Sequence, residues 1–92
     1  MNQDVIDNAA KSQFELRTDG ATAIIGYSRV GDLISLDHTE VPDALAGRGI
    51  GSAIAKGALD LLQARNQKIQ VRCSFITKYI DKHPEYRGLV AQ

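Results

Sequence analysis

Gly47, Gly49 and Gly51 stand at alternate positions in the stretch from Val41 to Ser52. They lie where a strand-like half of the chain gives way to a strongly helical pattern. A glycine turn running into a helix N-terminus leaves backbone N–H groups uncovered and aims the positive end of the helix dipole outward. That arrangement binds anions, phosphates above all. Glycine costs roughly 0.5–1 kcal/mol relative to alanine in regular structure, so three within five positions imply a geometric demand. The chemistry predicted is a grip on a pyrophosphate-bearing ligand by residues 47 to 52, with Arg48 inside the turn as a charged partner for phosphate. The plainer alternative is a helix-entry turn with no ligand.

Two familiar nucleotide signatures are absent. A Walker A loop needs Gly-Lys-Ser/Thr, which occurs nowhere in the chain. A dinucleotide fingerprint needs a third glycine where Ser52 stands. Elsewhere, His38 and Glu40 are two apart on a strand-like run and so share a face. Cys73 is the single cysteine, so it forms no internal disulfide and builds no cysteine metal site by itself. A small buried hydrophobe is its commonest fate, and thiolate chemistry is the alternative. With only His38 and His83 as histidines, no metal site is expected.

The elements that would position these groups follow from periodicity. Phe14 and Leu16 alternate with Glu15 and Arg17, and Asp19-Gly20 then signals a hairpin. Residues 21–29 and 33–41 read as two further strands separated by Gly31-Asp32. After the glycines, Ile50, Ala53, Ile54, Gly57, Ala58, Leu61 and Leu62 form one helical stripe, with Asn66 as a left-handed stop. Residues 68–73 alternate again and should pair in parallel with 33–41, because a helix between two strands makes a β-α-β crossover. A short helix from about Phe75 to Lys82 ends before Pro84, and residues 86–90 form a last turn. Residues 1–11 read as a flexible lead-in. The fold class is therefore mixed α/β: a single domain over 1–92 in the order β-β-β-α-β-α, an antiparallel meander followed by a β-α-β unit.

The glycine segment resembles the acyl-coenzyme A loop of GNAT-superfamily N-acetyltransferases, whose pattern is Gln/Arg-x-x-Gly-x-Gly/Ala between a strand and a helix. Gly49 and Gly51 fill the two small positions, and Ala46 stands where Gln or Arg is usual. The resemblance runs from about residue 13 to 90 and is nearest to very short members of the superfamily, through His38-Thr39-Glu40-Val41 before the loop, then Cys73, Tyr79 and His83-Pro84-Glu85-Tyr86. It implies that Val41 and the backbone of Gly47, Arg48, Gly49, Ile50, Gly51 and Ser52 hold coenzyme A. It implies a general base on the strand of His38 and Glu40, with Glu40 the candidate. It places Cys73 near the thioester, where an acyl-cysteine is an option. A tyrosine that protonates the leaving thiolate is implied near Tyr79, although the family spacing counted from Cys73 falls on Ile80. Packing is the alternative for Tyr79 and Tyr86, helix capping for His83, and solvation for Lys68, Arg72 and Lys78, which could otherwise meet the 3′-phosphate.

Eleven basic residues balance eleven acidic ones, so no global field recruits nucleic acid or an anionic membrane. No run approaches the roughly 20 apolar residues of a membrane span. A cytoplasmic setting is expected. Together these readings predict an acetyl-coenzyme A-dependent N-acetyltransferase acting on an amine, or else a non-catalytic coenzyme A-binding module. Ordinary members of the superfamily are half as long again, so the acceptor site here is shallow, absent, or completed by a second copy in a homodimer.

Overall fold

The computed structural model describes residues 5–18 and 20–91. Five strands lie side by side in chain order: β1 (Ile6–Asn8), β2 (Gln13–Thr18), β3 (Ala21–Val30), β4 (Leu33–Glu40) and β5 (Ile69–Val71). The first four are antiparallel, and β5 runs parallel to β4. Helix α1 (Ile50–Ala64) makes the crossover and α2 (Ser74–Lys82) follows β5. Short 3-10 turns occupy Ala9–Lys11, Asp43–Leu45 and Pro84–Leu89. The expected mixed α/β order is present. Gly20 and Gly31 take positive φ in the two hairpin turns, and Asn66 does so after α1. Asp19, the other half of the first turn, lies outside the described residues.

One strand is added to the expected order. Residues 6–11, expected as a flexible lead-in, form β1 and a turn. Asp7 holds them in place by accepting hydrogen bonds from the Tyr27 hydroxyl (2.7 Å) and the Arg65 guanidinium (2.7 Å). Val5 also seats against α1 at Gly57, where a methyl group would overlap it. All these partners are remote in sequence, so a polar stretch without periodicity gave no sign of them.

Burial, and then the hydrogen bond to Asp7, push the Tyr27 hydroxyl up to about 12. A raised tyrosine pKa stabilises the fold while the phenol is neutral. That contribution is fully present below pH ~10, the unfolded value, and is lost as pH rises toward 12. Burial raises Tyr79 and Tyr86 as well, so all three tyrosines contribute to alkaline unfolding. Tyr27→Phe should make the fall in stability between pH 10 and 12 shallower in urea melts; an unchanged slope would contradict this account of Asp7.

Register assigns the faces, because directly opposed residues lie on the same side of a sheet. Phe14 faces Ile25, Leu16 faces Ala23, Tyr27 faces Leu36 and Ile34 faces Ile69, and all eight are buried. Both helices cover this face. On α1 the buried residues are Ile50, Ile54, Ala55, Ala58, Leu59 and Leu62. Relative to the expected stripe, Ala55 and Leu59 enter the core while Ala53, Gly57 and Leu61 sit at its margin. The helix is turned because its Gly57 side receives the N-terminal segment.

Candidate functional site

A β-bulge in β4 creates the site. Gly26 pairs with His38 but the next residue, Tyr27, pairs with Leu36, so Asp37 is the extra residue. A bulge re-aims the side chains that follow it. Strict alternation would put His38 and Glu40 with Ile34 and Leu36 in the core. Instead Thr39, opposite Ile25, faces the helices, while His38 and Glu40 face the open polar side. The Asp37 carboxylate pins the bulge by accepting from Ser35 (2.7 Å) and Ser28 (2.8 Å). The Ser35 bond first, and then that from Ser28, hold Asp37 below the usual carboxylate range.

At the same point β5 leaves β4. Its ladder ends at Val71 opposite Leu36, and the N–H groups of Arg72 and Cys73 both turn back to the Leu36 carbonyl, at 2.9 and 3.1 Å. The chain then enters α2. Beyond Leu36, β4 therefore has no β5 partner among the described residues, and the two strands splay apart. Cys73 is buried at the N-cap position of α2, and its sulfur lies 3.4 Å from the Thr39 hydroxyl at the root of this opening. Strand alternation alone would turn Thr39 outward; only the bulge turns it inward.

Helix α1 opens beside the splay. Gly47 and Gly49 both adopt left-handed φ, +79° and +70°, and Gly49 caps α1 without any side-chain hydrogen bond. The N–H of Ala53 is the first to bond within the helix, to the Gly49 carbonyl at 3.0 Å. The N–H groups of Ile50, Gly51 and Ser52 precede it, as the first turn of any helix leaves its donors uncovered. Arg48 and Ser52 are exposed, Ile50 is anchored in the core and Val41 packs against its edge. Residues 47–52 thus form one lip at the start of α1, and Val41 stands apart from it at the end of β4, beyond the 3-10 turn of Asp43–Leu45. Gly51 differs from the other two glycines: it is helical, and its missing side chain makes room for Phe75 of α2. Nothing in the sequence pairs these two residues.

On the polar face, the His38 Nε2 lies 3.1 Å from the Glu40 carboxylate. Both are solvent-accessible, with side chains 54% and 66% exposed. The imidazole lies over Gly26 of the neighbouring strand, and a methyl group there would overlap it. Glycine inside a strand signals such a close approach, and Gly26 is the sequence's mark of this one. The expectation that His38 and Glu40 share a face is met by direct contact.

Tyr79 sits in an aromatic stack. Its ring stacks on His83 (centroids 4.0 Å apart, 16° between planes) and packs on Tyr86, whose hydroxyl donates to Asp60 (2.6 Å). The charges that act on its hydroxyl are Lys56, Asp60 and Glu85, on α1 and the last turn. Packing is the role this geometry displays. The His83 ring is held in turn by the Tyr79 carbonyl at 2.9 Å. Lys68 is bound to the Gly88 carbonyl, away from the lip. Among the described residues no three metal-ligating side chains cluster, and no helix is long and apolar enough to cross a membrane.

Comparison with known proteins agrees with this geometry. Residues 13–89 match the family model described as GCN5-related N-acetyl-transferase. Protein NATD1 of Mus musculus is 40% identical over 77 residues, covering 80% of this chain and 70% of that protein. The Homo sapiens protein of the same name is also 40% identical, over 80% of this chain and 68% of its own. A solution structure of a GCN5-like protein from Staphylococcus aureus superposes with a TM-score of 0.71 at 29% identity, covering 98% of this chain and 89% of that one.

Proposed function

Since the chain belongs to the GCN5-related N-acetyltransferase family, we propose that it transfers an acetyl group from acetyl-coenzyme A to an amine. One observation carries the reading: the uncapped, glycine-led start of α1 opens beside the splay of β4 and β5. The two features supply what an acyl-coenzyme A needs, N–H donors for its pyrophosphate and a slot between strands for its arm.

In this reading the N–H groups of Ile50, Gly51 and Ser52 hold the pyrophosphate, and Arg48 adds charge. The thioester rests at the root of the splay against Thr39 and Cys73. Backbone N–H groups of the bulged strand there are available to hold the oxyanion that develops on the carbonyl. The amine approaches from the polar face, where Glu40 and His38 take its proton. The amine nitrogen bonds to the carbonyl carbon, the carbon–sulfur bond breaks, and coenzyme A leaves as thiolate. Cys73 serves as the wall beside the sulfur in this direct transfer.

Thermal unfolding with and without acetyl-coenzyme A tests the reading, with 3′,5′-ADP as control at moderate salt. At ligand near one hundred times its dissociation constant, linkage gives about 2.7 kcal/mol, a midpoint rise of roughly 10 °C in a domain this small. That rise, together with amine-dependent release of free thiol, is the expected result. A rise without turnover on any amine would instead identify a coenzyme A-binding module, and no rise would remove the coenzyme from the proposal.

A further inference from the structure

Gly51 and Phe75 answer to each other. Gly51 lies in the first turn of α1 and, unlike Gly47 and Gly49, outside the left-handed region, so its backbone would accept any residue. What a side chain there would displace is the ring of Phe75: a methyl group at Gly51 would lie 2.9 Å from Cζ and 3.4 Å from each Cε. Phe75 belongs to the first turn of α2, two residues past Cys73, so the ring ties together the N-termini of the two helices. Even so seated it remains 39% exposed, one of three large apolar side chains that are exposed among the described residues.

We propose that Phe75 is the apolar wall for the pantetheine arm of coenzyme A, and that residue 51 is glycine in order to seat that wall. The inference rests on the coenzyme reading above. With pyrophosphate on the N–H groups of residues 50–52 and the thioester beside Thr39 and Cys73, the arm must join the two. Phe75 touches the first of these places and follows closely in sequence on the second. The dimethyl carbon and methylenes of the arm are the apolar surface an aromatic wall recognises. The nucleotide half lies on the other side of the phosphates, out of its reach.

Calorimetric titration with coenzyme A and with 3′,5′-ADP, the nucleotide half alone, separates the parts. Phe75→Ala is expected to weaken coenzyme A about tenfold and 3′,5′-ADP less than about twofold, the loss of one apolar contact. Phe75→Leu should recover most of the affinity, since an apolar wall needs no aromatic ring. Gly51→Ala should also weaken coenzyme A, and should do so less on the Phe75→Ala background, where there is no ring to displace. Equal losses for both ligands, no loss for coenzyme A, or no recovery with leucine would each overturn the proposal. Wild-type protein that bound neither ligand would fail the coenzyme reading itself. Wild-type and Phe75→Ala protein binding both ligands equally tightly would fail this inference alone.

Discussion

Gly49→Val is expected to give a folded domain that gains little thermal stability from acetyl-coenzyme A. Gly49 has φ +70° and ψ 18°, and a Cβ placed on it meets nothing within 4 Å. The substitution therefore acts through the backbone alone. Left-handed backbone costs an L-residue roughly 1–2 kcal/mol, and a β-branched one more. A domain with about 5–15 kcal/mol of stability survives that. The phosphate lip does not, because relieving the strain rotates the peptide that aims the N–H of Ile50. Affinity should fall at least about 100-fold, which by linkage leaves at most about 0.4 kcal/mol, or about 2–3 °C, of the roughly 10 °C rise at the ligand concentration set for wild type. Gly49→Asn is the control, since asparagine tolerates this region and should keep most of the affinity. Valine at 49 with near wild-type binding would show that the phosphates lie elsewhere.

The second large effect is expected on turnover at unchanged coenzyme binding. His38→Ala removes the imidazole that lies over Gly26 and 3.1 Å from Glu40, on the face of the sheet away from the helices. General-base contributions are typically 10²–10⁴-fold, so kcat should fall at least about 100-fold with the dissociation constant for acetyl-coenzyme A unaltered. Glu40→Gln keeps the imidazole but loses its carboxylate partner, and should lower kcat by about tenfold, again without loss of coenzyme affinity. Both side chains are well exposed, so neither change should shift the thermal midpoint by more than about 2 °C. If both variants turned over at the wild-type rate, the proton would be taken elsewhere. If both lost coenzyme affinity instead, the assignment of donor and acceptor to opposite faces would be wrong.

The sequence alone determined the parts governed by local periodicity and backbone chemistry. Alternation marked β2 to β5, the 3.6-residue stripe marked α1, and left-handed residues marked the turns at Gly20, Gly31 and Asn66. The alternating glycines marked the turn into α1, because a helix start capped by glycine without a side-chain hydrogen bond is written in the residues that form it. Spacing put His38 and Glu40 on one side of their strand, but not on a particular side of the sheet. That choice belongs to the tertiary structure. A single extra residue, Asp37, held by Ser28 and Ser35, reverses the alternation, sending Thr39 inward and the His38–Glu40 pair outward. Likewise the N-terminal segment, paired with β2 as β1, is docked through Tyr27, Gly57 and Arg65, and Tyr79 went to an aromatic stack against His83 and Tyr86. The seat of Phe75 on Gly51 is of the same kind. A bulge, a docked edge strand and a ring packed on another helix are set by partners distant along the chain, and no local pattern encodes them.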